Sequence, residues 1–409
     1  MSKIAVLGYG VVGSGTVEVF YAAKEKIQKK LGKDFDIKYI LDLRDFPDSP
    51  YADKFTKNYD DILNDGEVSI VVEAMGGLHP AFEFISSALK AGKSAVTSNK
   101  ELVAKKGAEL LKLADENNVS FLFEASVGGG VPLIRPIYRC LAANEIQEIA
   151  GILNGTTNFI LTKMFGENMD FDVALKMAQD LGYAERDPSA DVDGLDSCRK
   201  ICILSSLAYG KHVYPDSVKT EGIRNITIED VKYADSWGGK IKLIGWSKRS
   251  GDKVIAMVCP AFIKNGSQLA SASDVFNAIL VRGSATGDVV FYGKGAGKLP
   301  TASAMIGDVI DIINSPSTPK NLTWEDSEQD FIECPCKAQL AKYVRLTSGN
   351  PDIKNEIEKV FGSVTYLDRD NKPENEHAFV TPVLTDGEID KKLSALDADI
   401  ISTVRVLDY

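Results

Sequence analysis

The chain is short of the side chains that most often mark a metal or thiol enzyme. Of its 409 residues only three are histidines, at 79, 212 and 377, and they are scattered. Six cysteines lie at 140, 198, 202, 259, 334 and 336, with no CxxC pair. Cys334-Pro-Cys336 is too tight for ordinary zinc-ligand spacing, so no zinc site is expected. Nor do the cysteines form the dense framework of a small secreted domain, which points to a reducing cytoplasm. No apolar run reaches the roughly 18–20 residues of a membrane helix. The apolar start MSKIAVLGYGVVG ends in glycines and lacks a signal-peptide layout, so it reads as structure rather than as an address. Positive charge is also in deficit: 47 Lys and Arg against 58 Asp and Glu give −11. That balance argues against a nucleic-acid partner, which calls for a basic face, and against an anionic membrane surface. There is no internal repeat and no low-complexity tract.

With 44% hydrophobic and 26% charged residues, the chain has an ordinary globular composition, and its length predicts two or three domains. Ile4–Leu7, Ile37–Leu43, Val68–Val72, Ser94–Thr97 and Phe121–Glu124 read as strands. Thr16–Leu31, Pro80–Ala91 and Lys105–Asn117 read as helices between them. Continuous apolar strands alternating with helices predict a doubly wound parallel α/β sheet over residues 1–135. Beyond that point the rhythm changes. Strands at Ile146–Leu153, Val254–Phe262 and Val289–Tyr292, with helices at Phe171–Leu181, Ser197–Ala208 and Ile228–Gly238, predict an α+β domain over 136–300. The helix Thr301–Ile313 is expected to return to the first domain. Residues 314–341 read as a linker, Pro/Ser/Asp/Glu-rich over 315–330. Residues 342–409 follow a β-α-β-β-α-β order.

Gly8-Tyr9-Gly10-Val11-Val12-Gly13 matches G-x-G-x-x-G, a weak signal by itself. Here it follows a strand and opens a helix, the context in which glycines admit a pyrophosphate to a helix N-terminus. A dinucleotide is therefore expected. After the second strand, Asp42, Arg44 and Asp45 offer both a carboxylate for a ribose hydroxyl and a guanidinium for a 2′-phosphate. Pattern alone leaves NAD and NADP open, and solvated loop charges remain the plain alternative. Tyr292-Gly-Lys-Gly-Ala-Gly-Lys298 imitates a P-loop, but the spacing is wrong and Leu299 replaces the required Ser/Thr; it reads as a glycine-rich turn beside something bulky, with Gly295 a cofactor candidate.

Residues 182–200 carry an acid-rich loop into an apolar helix. Asp196 and Lys200 are four apart and share a helix face, where a surface ion pair is the plain reading. Their helix is rich in Ile and Leu, however, and a buried lysine is costly unless used. Lys100 stands just past a strand end, the edge at which open α/β sheets bind ligands; an ordinary helix-start lysine is its alternative. Glu124, with the exposed carbonyls of the glycine-rich loop that runs to Pro132, offers oxygen ligands for a hard cation, or is simply a buried glutamate in a turn.

Taken together, GYGVVGSG, EAMGGLHPA, VTSNKEL, EASVGGGVPLI, GILNGTTNFIL, AQDLGYAERDPSADVDGLDSCRK and GKGAGKLPTASAMIGD resemble homoserine dehydrogenase, in family order across about residues 4–312. The resemblance implies a Rossmann-type domain, a catalytic and dimerisation domain, and reversible NAD(P)H-dependent reduction of L-aspartate 4-semialdehyde to L-homoserine, on the route to threonine, methionine and isoleucine. It implies Lys200 as proton donor and Lys100 and Asp196 at the reacting end. Glu185, Asp191, Gly155 and Thr156 would meet the amino-acid substrate. Gly8, Gly10, Val11, Val12, Gly13, Arg44, Gly76, Lys100 and Gly295 would meet NADP or NAD, with NADP slightly preferred. Glu124, Val127, Gly129 and Val131 would hold a sodium ion, mainly through carbonyls. A homodimer or homotetramer is implied, and residues 342–409 resemble a small ACT domain of ferredoxin-like order. Their loop Ser348-Gly-Asn-Pro-Asp352 departs from the usual Asp-x-Pro-Gly turn, which argues against threonine feedback.

The residues support this chemistry independently. Hydride addition to an aldehyde develops an alkoxide that needs a proton and positive charge, which Lys200 supplies with Asp196 one turn away. The substrate ammonium needs acids, which Glu185 and Asp191 offer. No thiol nucleophile is required. The contrasting reading is a nucleotide-sensing regulator that kept the fold and lost catalysis; it would leave little reason to keep Glu185, Asp196 and Lys200 together.

Overall fold

The computed structural model describes residues 2–315, 322–327 and 331–407. The chain runs β1 Ser2–Leu7, α1 Val11–Leu31, β2 Phe35–Leu41, β3 Phe55–Thr56, α2 Asp60–Leu63, β4 Val68–Glu73, α3 Ala81–Lys90, β5 Ser94–Thr97, α4 Lys100–Glu116 and β6 Phe121–Leu122. It continues with β7 Ile146–Ile152, α5 Gly155–Glu167, α6 Phe171–Asp180, α7 Ser189–Val192, α8 Leu195–Tyr209, β8 Lys219–Thr220, α9 Ile228–Ser236, β9 Gly239–Ser250, β10 Lys253–Lys264, β11 Phe276–Gly283, β12 Gly287–Lys294 and α10 Lys298–Asn314. It ends with β13 Gln339–Thr347, α11 Ile353–Phe361, β14 Thr365–Leu367, β15 Glu376–Val380, β16 Leu384–Thr385, α12 Asp386–Leu393 and β17 Asp399–Val406. Two compact units result. One comprises Met1–Asn144, Cys202–Pro215 and Gly293–Gln329; the other Glu145–Ile201, Asp216–Tyr292 and Asp330–Tyr409.

The first unit holds a six-stranded sheet ordered β3-β2-β1-β4-β5-β6, every pair parallel. This is the doubly wound Rossmann order, with its reversal between β1 and β4. Ile4–Leu7 and Ile70–Val72 are buried on both faces, which explains their unbroken apolar runs. Two helices start earlier than the sequence pattern indicates. α1 opens at Val11, inside the glycine motif. α4 opens at Lys100, because the Asn99 side chain caps it by accepting from Leu102 N–H. α10 packs along α1, where Thr16 Oγ1 lies 3.5 Å from Met305 Sδ.

The second unit is built on a mixed sheet of order β12-β11-β7-β9-β10-β17-β13-β15-β14, with β16 on β13 and β8 on β10. The order β17-β13-β15-β14 within the β-α-β-β-α-β segment is the ferredoxin-like one. This segment was expected as a module of its own. In the structure β17 joins β10 in parallel, and one apolar core runs from Ile152, Trp246 and Met257 to Val344, Ile357 and Phe379. Of the linker expected over 314–341, residues 316–321 and 328–330 lie outside the described residues. Trp324, within it, is buried with its ring edge on Phe123, 5.4 Å between centroids. Cys334 and Cys336 are joined as a disulfide, a pairing the sequence reading does not include; the other four cysteines are free thiols. Among the described residues no helix is long and apolar enough to cross a membrane, and no group of three or more His, Cys, Asp or Glu is placed to hold a metal.

Candidate functional site

In the first unit the three motif glycines have separate roles. Gly8 has φ +91°, the left-handed region that side chains resist. A Cβ on Gly13 would sit 1.9 Å from Gly8 O, so only glycine lets α1 close on the turn. Gly10, the residue before α1, has no atom within 4 Å of its Cβ position, leaving an open approach to the amides of Val11, Val12 and Gly13. The α1 start carries no acidic residue and no side-chain cap, so its amides are presented to an anion. Beside it is a cavity of about 400 Å³ lined by Gly8, Gly10, Asp42, Arg44, Tyr59 and Met75 among others.

Asp42 lines this cavity at the end of the second strand. Its carboxylate accepts from Tyr9 N–H at 2.8 Å and from the Arg44 guanidinium, which holds it well below the usual carboxylate range. Arg44 is thus engaged by Asp42, while Asp45 pairs with Lys57 at 2.7 Å. Lys57 lines the same cavity and was not singled out from the sequence. Across the sheet, buried Glu73 accepts from Met75 and Gly76 N–H and from the Thr97 hydroxyl; burial pushes its carboxyl up. Thr97 in turn accepts from Asn99 N–H, and Asn99 Nδ2 donates to Gly77 O. This network fixes the Gly76-Gly77 turn against the start of α4, and with it Lys100.

The loop after β6 is arranged around Glu124. Its carboxylate accepts from the amides of Leu133, Ile134 and Arg135 at 2.6, 3.0 and 2.7 Å, so the side chain serves as an anchor for the loop. Among the described residues no backbone N–H donates to the carbonyls of Val127, Gly129 or Val131 in this buried turn. Gly129 fits because a Cβ there would lie 2.5 Å from Gly295 O, and Gly130 N–H donates to Lys294 O. The glycine turn that imitates a P-loop is thus interlocked with this loop.

In the second unit the catalytic candidates converge on Asn154, which sequence reasoning passed over. Asn154 caps α5 by accepting from Thr157 N–H at 2.8 Å. Its Nδ2 donates to Asp191 Oδ1 at 2.6 Å and to Asp196 Oδ2 at 2.8 Å. Lys200 Nζ donates to the same Asp196 Oδ2 at 2.8 Å and to Leu153 O at 2.7 Å. Asp196 and Lys200 are 3% and 7% exposed, so this is a desolvated pair and not the surface ion pair that spacing alone allows. Gly155 permits close packing, since a Cβ there would be 2.8 Å from Val275 O. Thr156 Oγ1 donates to Tyr183 O, and the Tyr183 ring meets Phe159 edge-on at 5.1 Å, so the 181–188 loop is tied to the first turns of α5. Glu185 rides on that loop with its side chain exposed and its carbonyl accepting from Gln179. The only signal for Asn154 in the sequence was its place ahead of Gly-Thr-Thr; its partners lie 37 and 42 positions away.

Comparison with known proteins identifies the family. A family model for the NAD-binding domain of homoserine dehydrogenase matches residues 8–124, and one for homoserine dehydrogenase itself matches 132–310. A homoserine dehydrogenase from Synechocystis is 44% identical over 319 residues, 76% of this chain and 73% of its own. The crystal structure of one from Thiobacillus denitrificans superposes with TM-score 0.89 at 34% identity, covering 100% of this chain and 99% of that one. A hyperthermophilic archaeal homoserine dehydrogenase in complex with NADPH gives 0.66 at 27% identity, covering 78% of this chain and all of that one. With its dinucleotide cradle, its buried acid–lysine pair and these relatives, the chain belongs to the homoserine dehydrogenase family.

Proposed function

We propose that in this homoserine dehydrogenase the Asn154–Asp196–Lys200 constellation is the reacting end of the site, with Lys200 as the proton donor. The observation that carries the reading is a buried ammonium held by one carboxylate oxygen and one carbonyl. A lysine there is oriented, desolvated and charged, as stabilisation of a developing alkoxide requires. Asp196 orients Nζ, and Asn154 orients Asp196. Glu185 and Asp191 receive the substrate ammonium, with Gly155 and Thr156 shaping the pocket wall. Lys100, set at the start of α4 by Asn99, contributes a second positive charge.

The open face at Gly10 and the bare α1 amides fit a pyrophosphate, and the Asp42–Arg44 pair fits the adenosine ribose of NADP or NAD. A bound nicotinamide supplies the hydride for the aldehyde carbon. We infer a modest preference for NADP from Arg44. The carbonyls of Val127, Gly129 and Val131, with that of Glu124, suit a sodium ion, which would stiffen the loop interlocked with Gly295.

The β12 and β14 edges of the larger sheet leave strand backbone for a second copy, which supports a homodimer or homotetramer. The ACT-like segment is read as an assembly element. In its loop, Ser348 Oγ donates to Asp397 O and Asn350 Nδ2 to Glu356, so polar groups that would meet an effector are already engaged. Little or no threonine inhibition is expected, and a cytoplasmic setting follows from the biosynthetic role. The test is NADPH and NADH oxidation with L-aspartate 4-semialdehyde, with and without threonine, alongside a sizing run. Loss of turnover in Lys200→Met with the fold intact supports the assignment; a near-wild-type kcat removes it.

A further inference from the structure

Lys242 lies on β9 and is 2% exposed. Its Nζ donates to Asn158 Oδ1 at 2.8 Å and to Ala272 O at 2.7 Å, both neutral oxygens. A lysine buried with no carboxylate among the described residues in hydrogen-bond reach is expensive, and a methionine would fill the same space at less cost. Burial, reinforced by the charge of Lys240, pushes its ammonium down to about 7, with Asp274 opposing. What the lysine provides is two directed donors, and both act on the same place. Asn158 is one helical turn beyond Asn154, and its amide N–H donates to Asn154 O at 3.3 Å. The Asn158 side chain also donates to Phe276 O at 3.0 Å and to Ala272 O at 3.3 Å. The segment Ala272–Phe276 so clamped is the one whose Val275 carbonyl abuts Gly155.

We propose that Lys242 is a positioning residue: from the back of α5 it fixes the first turn through Asn158 and the 272–276 segment, and so sets the direction in which Asn154 holds Asp191 and Asp196. Lys200 is aimed through the same chain. The inference rests on the reading of Lys200 as the reacting group. Displacement of a reacting group by about 1 Å costs up to roughly a hundredfold in rate, so loss of the Lys242 donors should be felt in chemistry and in semialdehyde binding. The α1 cradle belongs to the first unit and does not depend on this contact.

The experiment uses the full-length chain carrying Lys242→Met, Asn158→Ala and both together, with Lys200→Met as control. Each is measured by thermal melting and by steady-state kinetics in both substrates. The expected result is a kcat lowered roughly ten- to a hundredfold and a raised KM for L-aspartate 4-semialdehyde, with KM for NADPH unchanged. The double variant should lose less than the sum of the two singles, because both break the Lys242–Asn158 contact and both loosen the same 272–276 segment. A folded Lys242→Met chain with wild-type kcat and KM overturns the proposal, as do fully additive losses or an equal shift in both KM values. Should Lys242→Met fail to fold, Asn158→Ala decides: a change confined to kcat and semialdehyde KM supports the proposal, and none overturns it. Retained kcat in Lys200→Met would instead overturn the underlying assignment, whatever Lys242 does.

Discussion

The guanidinium of Arg44 forks onto the carboxylate of Asp42, with Nε 2.9 Å from Oδ1 and Nη2 2.8 Å from Oδ2. The residue best suited to read a 2′-phosphate is therefore held by the residue best suited to read a 2′-hydroxyl. Asp42→Asn weakens that hold and should raise the NADPH/NADH ratio of kcat/KM by about tenfold, the scale of one charged hydrogen bond. Arg44→Ala should lower the ratio. The ratio from initial rates with each cofactor checks both; an unmoved ratio in Arg44→Ala would show that the arginine does not read the phosphate.

Gly10 and Gly13 should separate binding from folding. Gly10→Ala meets nothing within 4 Å and has a φ of −78° that alanine adopts freely. The chain should melt as before while KM for NADPH rises several-fold, because the methyl stands in the pyrophosphate approach. Gly13→Ala drives a Cβ into Gly8 O and should cost at least about 1–3 kcal/mol of stability. Melting curves and cofactor titrations of the two variants test the division.

Much of the first unit was legible because its signals are local. A continuous apolar strand, a glycine turn and a helix follow one another within thirty residues, and the lysine at a strand end stands where such sheets bind ligands. The second unit was harder. α5 escaped notice because Thr156–Leu161 are buried without a polar face, so no helical period shows. β9 was missed because Gly-Lys-Ile-Lys-Leu-Ile mixes lysines into an apolar run, and a lysine is read as surface when it is in fact Lys242 under α5. The Asp196–Lys200 pair was visible from its spacing, whereas its burial and its link to Asn154 depend on residues some forty positions apart.

His212 should make stability sensitive to mild acid. Its Nδ1 accepts from Trp324 Nε1 at 2.9 Å, its Nε2 lies 2.9 Å from Ala104 O, and Gly107 leaves room for the indole. With Nδ1 accepting, the neutral ring donates through Nε2. Burial lowers its pKa below the ordinary 6.5. The unfolded chain therefore takes up a proton first. The contribution is fully present above about pH 6.5 and is lost as pH falls from there through the folded value, at up to roughly 1.4 kcal/mol per pH unit. Urea midpoints at pH 7.5 and 5.5, read by tryptophan fluorescence, should show the loss. His212→Gln should flatten that slope, and an unchanged slope would remove His212 as its source.

Removal of residues 336–409 should unfold the second unit rather than release a working enzyme. Tyr343 stacks on Phe262 at 4.5 Å, and its hydroxyl donates to Asp230 Oδ1, a fully buried carboxylate. Arg345 Nε lies 3.3 Å from the same oxygen, and Tyr233 Oη donates to Glu376 at 2.7 Å. On the other side of the join, Arg405 bridges Glu221 and Asp386. A chain ending at 335 strands Asp230 without either partner and uncovers Phe262 together with the β10 edge. A buried charge deprived of its partner costs about 3–5 kcal/mol, a large share of a domain's stability. Arg345→Met isolates the electrostatic part and should lower Tm by about 6–20 °C. The same join gives an acid limit. Arg405 and its neighbours draw the Glu221 and Asp386 carboxyls below their ordinary 4.5 and 3.8, although burial alone would raise them. Their contribution is intact above pH 4.5 and falls away as pH drops through the lowered values. Calorimetry of the shortened chain, of Arg345→Met and of the full chain between pH 7 and pH 3 measures all three effects. A shortened chain that melts at the full-length temperature would show that residues 336–409 are an independent appendage.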